Sequence, residues 1–439
     1  MNTENILKNL NIKALNAMQL QTLEASKNNE NVVLLSPTGS GKTLAFLFPI
    51  VSKLQTTCKG VQAIIVVPSR ELAIQIEQVF KKMGTNFKIN ACYGGHNTRT
   101  EINNLSSPPA VLVGTPGRLA FHIREQSFAA QNVHTYVVDE FDKALEMGFQ
   151  QDMDFIINSF ASIKFRMLTS ATELKNIPDF TGITEPKKIQ FLQNKESAPD
   201  LTFKKVITKP EEKLETVIKL IGKVGKETLL IFCNHRDAVD RISETLTSKG
   251  VANTCFHGGL SQDDRERALL KFRNKSSRIL ITTDLAARGL DIPEIGCVIH
   301  YQLPEKEETF IHRNGRTARM KAKGTVYVIL TQEETYDFIN PNYPIESLDG
   351  TYKIENKTDF KTIYISAGKK DKVNKVDIVG YLIKIGGLNK EDIGLIEVKD
   401  TQAFVAVTSK KVKPLLAMLQ DKKLKNKKVK IALAQGETK

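Results

Sequence analysis

Paired cysteines and long apolar runs are scarce in this sequence. Its five cysteines are scattered along 439 residues without a C-x-x-C pair, which argues against a disulfide scaffold and a zinc site and fits a reducing cytosol. The longest apolar runs, such as Leu44–Val51, are much shorter than the roughly 20 residues that cross a bilayer. The first residues show no basic segment followed by an apolar one. We therefore expect a cytoplasmic protein without a secretory signal or a membrane partner.

Arginine is absent from residues 360–439, although the chain is basic overall. This segment has 18 lysines and 8 acidic residues and so holds +10 of the formal net charge of +14. The rest of the chain has 45 basic and 41 acidic residues. A basic segment on a nearly neutral body predicts a polyanionic partner. The alternative is that these lysines only make the surface soluble. The lack of acidic residues in Lys422–Lys430 argues against this alternative.

Short β-branched runs alternate with helical patterns through the first 335 residues, which predicts parallel sheets of βαβ units. The pattern is interrupted at the polar stretch Asn194–Asp200 and then restarts. We therefore expect two α/β domains in tandem, at residues 1–195 and 203–338. The expected strands are Val32–Leu35, Ala63–Val67, Val111–Gly114, Tyr136–Asp139, Arg166–Thr169, Leu229–Cys233, Arg278–Thr282, Cys297–His300 and Val326–Leu330.

A second polar, turn-rich break covers Ile345–Asp359, and the pattern beyond it is different. Residues 360–435 predict the order β-α-β-β-α-β, with Asn374 as the N-cap of the first helix and a last strand at Lys428–Leu433. RNA-recognition motifs share this plan. We therefore expect a third, small α+β domain at residues 360–435.

A glycine-rich loop, SPTGSGKT at Ser36–Thr43, follows the first expected strand and precedes a helical pattern. Its glycines let backbone N–H groups close around phosphates, and the helix N-terminus adds a positive dipole. We expect Lys42 to reach the β- and γ-phosphates of ATP and the Thr43 hydroxyl to bind Mg²⁺. The strand–loop–helix context argues against an ordinary turn. The expected nucleotide-binding residues are Ser36, Thr38, Gly39, Ser40, Gly41, Lys42 and Thr43.

An acidic tetrapeptide, Asp139–Asp142, directly follows the apolar run Tyr136–Val138. Asp139 at a strand end is placed to hold Mg²⁺, and Glu140 to polarise the attacking water. An acidic helix start is the alternative, and the phosphate loop upstream makes it the weaker one. The sequence therefore predicts an ATPase.

These motifs resemble those of the DEAD-box RNA helicases, and they stand in that family's order between residues 19 and 319. Phe141 is a departure, because the family has alanine there. The resembling residues are Gln19, Pro68–Leu72, Gly94-Gly95, Thr115–Arg118, Asp139–Asp142, Ser170–Thr172, Arg265 with Phe272, Thr283-Asp284, Ala287–Asp291 and His312–Arg319.

The resemblance implies two RecA-like domains that hydrolyse ATP with Mg²⁺ and unwind RNA rather than DNA. It implies catalytic roles for Glu140, Lys42, Arg316 and Arg319. Arg316 and Arg319, three apart on an expected helix, lie on one face and can both point at a γ-phosphate, which requires the domains to close. The remaining implied roles are adenine recognition by Gln19, nucleotide contact by Asp291, coupling by Asp142, Ser170 and Thr172, and RNA contact by Pro68, Arg70, Gly95, Thr115, Arg118, Arg265 and Thr283.

The last domain is similar to the RNA-binding domain of DbpA-type DEAD-box helicases, on four stretches: Ser366–Lys370, Asp377–Gly380, Glu391–Gly394 and Phe404–Val407. This similarity implies a hairpin of large-subunit ribosomal RNA as the target and pre-ribosomal particles as partners. Only Tyr364 and Phe404 could stack on bases, so we expect lysines, including Lys369 and Lys370, to carry more of the binding. A general RNA chaperone or remodeller without a ribosomal target, and a DNA helicase, are the alternative functions.

Overall fold

The computed structural model describes residues 3–95, 98–174, 176–192, 200–284, 295–317, 323–355 and 357–434. The chain divides into two compact units, the first comprising Met1–Asp200 and the second containing most of the rest. Among the described helices, none is both long and apolar enough to cross a membrane.

A parallel sheet forms the centre of the first unit, in the strand order β3-β4-β2-β5-β6-β1-β7. Alternate residues along each strand enter two different hydrophobic cores, because helices cover both faces: Val32 and Leu34 pack on one side, Val33 and Leu35 on the other. The elements are α1 (Thr3–Leu10), α2 (Ala17–Asn28), β1 (Asn31–Leu35), α3 (Lys42–Lys53), β2 (Ala63–Val66), α4 (Arg70–Met83), β3 (Ile89–Cys92), α5 (Thr98–Leu105), β4 (Val111–Gly114), α6 (Pro116–Arg124), β5 (Thr135–Val138), α7 (Phe141–Glu146), α8 (Gln150–Asn158), β6 (Phe165–Ser170) and β7 (Lys187–Gln190).

The second unit begins with a sheet of the same kind, in the order β10-β11-β9-β12-β13-β8. The pairs β10–β11, β11–β9, β9–β12 and β12–β13 are parallel. The elements are β8 (Asp200–Thr208), α9 (Lys213–Val224), β9 (Leu229–Cys233), α10 (Arg236–Ser248), β10 (Thr254–Phe256), α11 (Gln262–Arg273), β11 (Ile279–Thr283), β12 (Cys297–His300), α12 (Glu307–Asn314) and β13 (Lys323–Thr331).

The segment after β13 packs against this sheet domain. The Tyr343 ring stacks on that of Phe203, with centroids 4.9 Å apart, and the Glu346 carboxylate forms a 2.6 Å ion pair with Lys204. Leu348 and Ile354 pack against the hydrophobic core. The break expected at Ile345–Asp359 is therefore polar in composition, but much of it is attached to the preceding domain.

The C-terminal residues form an antiparallel sheet in the order β15-β16-β14-β19. The two tandem parallel-sheet domains and the small β-α-β-β-α-β domain that the sequence predicts are thus confirmed. The last strand is shorter than expected, because a two-stranded hairpin precedes it. The elements are β14 (Phe360–Ile365), α13 (Lys375–Lys384), β15 (Ile393–Val398), β16 (Ala403–Thr408), α14 (Ser409–Leu419), β17 (Lys423–Leu424), β18 (Lys427–Lys428) and β19 (Ile431–Leu433).

One face of this C-terminal sheet docks on helix α11 of the preceding domain. Leu270 of α11 forms a buried cluster with Phe404 and Ala434, against which Tyr364 packs. The buried Thr362 hydroxyl lies 2.7 Å from the Ser276 hydroxyl, and Lys399 forms an ion pair with Glu266. The parallel-sheet domain and the C-terminal domain therefore share an interface within the second unit.

Candidate functional site

The phosphate loop is closed by its own lysine. Lys42 opens α3, and its ammonium donates to the carbonyl oxygens of Ser36 (2.5 Å) and Pro37 (3.0 Å). Gly39 (φ +82°) and Gly41 (φ +91°) provide left-handed turns that a side chain would strain. No side chain caps the N-terminus of α3, which leaves its positive end available to an anion, although the Leu44 N–H already donates to the carbonyl oxygen of Gly41 (3.2 Å). The loop thus has the shape and polarity of a phosphate cradle, with Thr43 in the first helical turn.

Gln19 contacts the phosphate loop from the side. Its carboxamide Nε2 donates to the carbonyl oxygen of Gly41 (3.1 Å), and its Oε1 accepts from the backbone N–H of Asn16 (3.0 Å). Asn16 caps α2 and also donates from Nδ2 to the carbonyl oxygen of Ser40 (3.1 Å). The capping box of α2 therefore ties the expected adenine-recognition residue to the loop.

Replacing Gly41 by Ala should raise the KM for ATP about tenfold, equivalent to about 1.4 kcal/mol. A Cβ at this position would lie 2.7 Å from the Gln19 Nε2, so the loop or the glutamine must move. Gly148→Ala is the matched control, because Gly148 also has a positive φ (+76°) but nothing within 4 Å of a new Cβ. It should lose stability by about 1–2 kcal/mol and keep the KM. Steady-state ATPase kinetics and thermal unfolding measure both effects, and an equal rise of KM in the two variants would contradict this assignment.

The acidic tetrapeptide lies at the end of β5, next to the end of β6. The Thr169 hydroxyl donates to Asp139 Oδ1, which also accepts from the backbone N–H of Glu140 (3.1 Å). Glu140 has φ +53°, a conformation that costs about 1–3 kcal/mol and is typical of functional sites. This turn places the carboxylates of Asp139 and Glu140 next to each other in the chain, just before α7.

These carboxylates fit a divalent cation and an attacking water. Burial, followed by the charge of Glu140, raises the pKa of Asp139 to about 6, and the hydrogen bond from Thr169 and the positive charge of Lys42 offset only part of this rise. The Glu140 Oε2 atom is buried and has no hydrogen-bond partner among the described residues. Asp139 and Thr43 are the candidate metal ligands, and Glu140 is left to orient water.

The expected coupling residues meet beside this site. The Thr172 hydroxyl donates to Asp142 Oδ2 (2.9 Å), and Ser170 Oγ accepts from the backbone N–H of Thr172 (3.1 Å). The carbonyl oxygen of Ser170 accepts from the backbone N–H of Ser36 at the start of the phosphate loop (3.0 Å). A chain of hydrogen bonds therefore connects the nucleotide loop, the acidic turn and the end of β6. Phe141 belongs to the hydrophobic core and is fully buried near Phe180, so the departure from alanine is accommodated by packing.

The expected RNA-binding residues of the first unit occupy the other half of the same sheet edge. Pro68 follows β2, Gly95 comes after β3 and Thr115 follows β4, while the acidic turn and the phosphate loop follow β5 and β1. Because the carboxyl ends of parallel strands meet at one edge, the sheet order places these two groups side by side. Arg118 lies 3.3 Å from the Glu101 carboxylate, and Arg70 lies beside Gly94.

In the second unit one expectation needs correction. Helix α12 ends at Asn314, and Arg316 lies in a turn closed by hydrogen bonds from the N–H of Gly315 to Ile311 and of Arg316 to Arg313. Arg316 and Arg319 are therefore not both carried on this helix, because the chain leaves it at Gly315. Asp291 and Arg319 lie outside the described residues. Arg265 is on α11, with its guanidinium 5.2 Å from the Phe256 ring centroid, and Thr283 ends β11.

Arg313 is buried in this region, as Arg316 is, and no role was assigned to it from the sequence. Its guanidinium binds both carboxylate oxygens of Asp284 (2.5 and 2.7 Å), the Asn234 side chain (2.8 Å) and the carbonyl oxygen of Gln302 (2.6 Å). Thr169 was also missed. Its place beside the acidic turn depends on the register of β5 and β6, which pairs Val138 with Leu168 and so puts Asp139 opposite Thr169. Strand positions in the sequence do not reveal this register.

In the C-terminal domain the structure corrects the role expected for Phe404. Phe404 and Tyr364 pair across β16 and β14, with ring centroids 5.7 Å apart. Phe404 is only 4% exposed and is covered by Leu270, so its ring is not open to a base in this arrangement. Lys369 and Lys370 are exposed in the turn after β14.

Comparison with known proteins is consistent with this geometry. Residues 16–180 match the DEAD/DEAH box helicase family, residues 212–321 the helicase conserved C-terminal domain, and residues 362–433 the DbpA RNA binding domain. The DEAD-box ATP-dependent RNA helicase CshA of Bacillus subtilis is 33% identical over 336 residues, which cover 74% of this chain and 68% of CshA.

Two further matches, one in sequence and one in structure, cover more of both chains than the match to CshA does. The ATP-dependent RNA helicase DbpA of Bacillus subtilis is 28% identical, over 94% of this chain and 93% of its own. The fold resembles that of S. cerevisiae Dbp5 bound to RNA and ADP BeF3, with a TM-score of 0.69 and 24% identity over 79% of this chain and 94% of Dbp5. The chain therefore belongs to the DEAD-box ATP-dependent RNA helicases and carries a DbpA RNA-binding domain at residues 362–433.

Proposed function

We propose that this protein hydrolyses ATP to unwind short RNA duplexes locally, and that its C-terminal domain directs it to large-subunit ribosomal RNA during ribosome assembly. The observation that carries the proposal is the shared sheet edge of the first unit, where the ATP residues after β1, β5 and β6 adjoin the RNA-motif residues after β2, β3 and β4. Within the ATP group, the contact between Asp142 and Thr172 connects the acidic turn after β5 to the end of β6.

Mg²⁺ is the cation that we assign to Asp139 and Thr43, and when bound it would neutralise charge on the phosphates. Glu140 would orient the attacking water and accept its proton, since its Oε2 has no protein partner among the described residues. Lys42 would exchange its carbonyl contacts for phosphate oxygens. The carbonyl oxygens of Ser36 and Pro37 help to hold the ammonium at the loop until nucleotide binds.

The C-terminal domain would hold RNA mainly through lysines. The closed sheet face around Phe404 leaves little room for base stacking, whereas Lys369 and Lys370 are exposed. The nearby acids are already neutralised in part, because Lys427 pairs with Asp371 and Lys425 with Asp377 (2.7 Å). The surface therefore has a net positive charge, which suits binding to a phosphate backbone.

The double variant Lys369→Gln/Lys370→Gln should weaken RNA binding and reduce its salt dependence. Each lost contact to a single-stranded phosphate lowers the slope of log K against log salt by about 0.7. Phe404→Leu is the control, because it keeps an apolar side chain against Leu270 and should bind RNA with an unchanged slope. Fluorescence anisotropy titrations at several salt concentrations measure both. If Phe404→Leu lost the affinity and the lysine variant kept it, base stacking would be the binding mode.

The ribosomal target is supported by the match of residues 362–433 to the DbpA RNA binding domain and by the DbpA relative, which aligns over nearly the whole chain. Pre-ribosomal particles are the partners that this target implies. A cytoplasmic location fits the five cysteines, all of which are free.

Strand displacement tests the proposed activity. A short RNA duplex with a labelled strand should be separated in the presence of ATP and Mg²⁺, and a DNA duplex of the same sequence should not. Equal strand exchange without ATP would favour the RNA chaperone, and equal unwinding of the DNA duplex would favour the DNA helicase.

A further inference from the structure

We propose that Cys92, Glu101 and His122 of the first unit form a binding site for a zinc-like divalent cation. The three residues come from β3, α5 and α6, and each is more than nine-tenths buried. A thiol sulfur, a carboxylate oxygen and an imidazole nitrogen lie within 4.8 Å of one another. The sequence gives no sign of this site, because the three residues are separated and no cysteine or histidine pair has metal-site spacing.

The hydrogen bonds of His122 suit a metal ligand. Its Nε2 lies 2.9 Å from Glu101 Oε2, and its Nδ1 lies 3.0 Å from the Ser127 hydroxyl. A neutral histidine that binds a cation through Nε2 carries its proton on Nδ1, where the Ser127 oxygen can accept it. Glu101 Oε1 accepts the backbone N–H of Tyr93 (3.1 Å), which fixes the carboxylate, and a cation would replace the present contact between Oε2 and His122 Nε2.

Distance and charge are compatible with Zn²⁺ or Co²⁺. Bonds of about 2.0–2.3 Å to N, O and S ligands place the ligand atoms of a tetrahedral site roughly 3.4 Å apart. The most distant pair of ligand atoms would therefore approach by no more than about 1.5 Å, and His122 Nε2 and Glu101 Oε2, which lie 2.9 Å apart, would separate by about 0.5 Å. Burial raises the pKa of the Cys92 thiol, and a bound cation would replace its proton. The thiolate and the carboxylate would then balance the charge of the cation, while sulfur and imidazole ligands disfavour Mg²⁺.

The cluster also has a route to solvent. A polar cavity of about 250 Å³ is lined by Cys92, Glu101, Glu77 and Asn104, among others. This volume admits the cation and leaves space for a water as fourth ligand. Arg118 lies 3.3 Å from the same Glu101 oxygen, so a bound cation would influence a residue for which we propose an RNA contact.

A second cluster with the same three chemical groups provides a control. Asp240, Cys255 and His257 also bring a carboxylate, a thiol and an imidazole within 4.8 Å. Here, however, His257 Nδ1 accepts the backbone N–H of Gly259 (3.2 Å), so its proton must sit on Nε2, which faces Asp240 Oδ1 at 3.0 Å. No ring lone pair is then free for a cation. The hydrogen bonds therefore assign the site to the first cluster and exclude the second.

Titration of the metal-free full-length protein with Co²⁺ tests the assignment. Wild type should bind one equivalent with a thiolate-to-cobalt charge-transfer absorption, and Zn²⁺ should displace it whereas excess Mg²⁺ should not. Cys92→Ser and His122→Gln should lose the absorption, and Cys255→Ser should retain it. Circular dichroism identifies folded variants. If Cys92→Ser does not fold, wild type, His122→Gln and Cys255→Ser decide the question. Absence of the absorption in wild type, its retention in His122→Gln, or its loss in Cys255→Ser would overturn the proposal.

Discussion

Glu140→Gln should lower RNA-stimulated ATP turnover by about 10²–10⁴-fold, the range by which a positioned general base contributes. The amide keeps the size of the side chain but cannot accept a proton from water. ATP binding should change little, because the hydrogen bonds that close the phosphate loop come from Lys42 and Gln19 and not from Glu140. Single-turnover hydrolysis and nucleotide titration separate the two effects.

Glu125→Gln is the control for this substitution. Glu125 is an exposed residue of the same unit, directly after α6, and the same chemical change there should leave turnover within about twofold of wild type. Near-normal turnover in Glu140→Gln would show that another group activates the water, and our catalytic assignment would then be wrong.

Arg316→Gln should lower turnover by about 10³-fold or more, the effect of removing an arginine that stabilises charge on the transferred phosphoryl group. The planar guanidinium is suited to this task and the neutral amide is not. We expect Arg316→Gln to lower the unfolding temperature of the second unit less than Arg313→Gln does. Turnover and thermal unfolding of the same preparation give both quantities.

Arg313→Gln is the counterpart three residues earlier, and it should act on stability. It would remove the bidentate pair with Asp284 and the bonds to Asn234 and the Gln302 carbonyl, at a cost of about 3–5 kcal/mol for a broken buried pair. If Arg313→Gln unfolded like wild type, or if Arg316→Gln hydrolysed ATP at the normal rate, the roles that we assign to these two arginines would have to be revised.

The central strands were predictable from sequence because each is a short apolar run covered by helices on both faces. Leu229–Cys233 and Cys297–His300 have the expected bounds. The edge strands β3 and β7 were missed. INAC is only four residues long and is interrupted by Asn90, KKIQ has a single apolar residue, and each strand has a neighbour on one side only. Composition alone does not distinguish such strands from loops.

The sequence predicted the parts of the site that lie within a single loop. It did not predict the contacts between separate elements. The phosphate loop and the acidic turn depend on local spacing. The contact of Gln19 with Gly41 depends on where α2 packs, and the burial of Phe404 depends on Leu270 of another domain. Spacing along the chain carries no information about such packing, so the sequence left Phe404 as one of two residues that could stack on bases, and only the structure shows that its ring is covered.

The measurement that tests the central claim most directly is stimulation of ATP turnover by two RNAs, with the full-length protein. A hairpin-containing fragment of large-subunit ribosomal RNA is compared with an unrelated structured RNA of equal length, in wild type and in Lys369→Gln/Lys370→Gln. We predict that wild type responds at a lower concentration of the ribosomal fragment, and that the variant loses most of this preference while keeping its maximal rate. Equal stimulation in all four combinations would contradict targeting by the C-terminal domain.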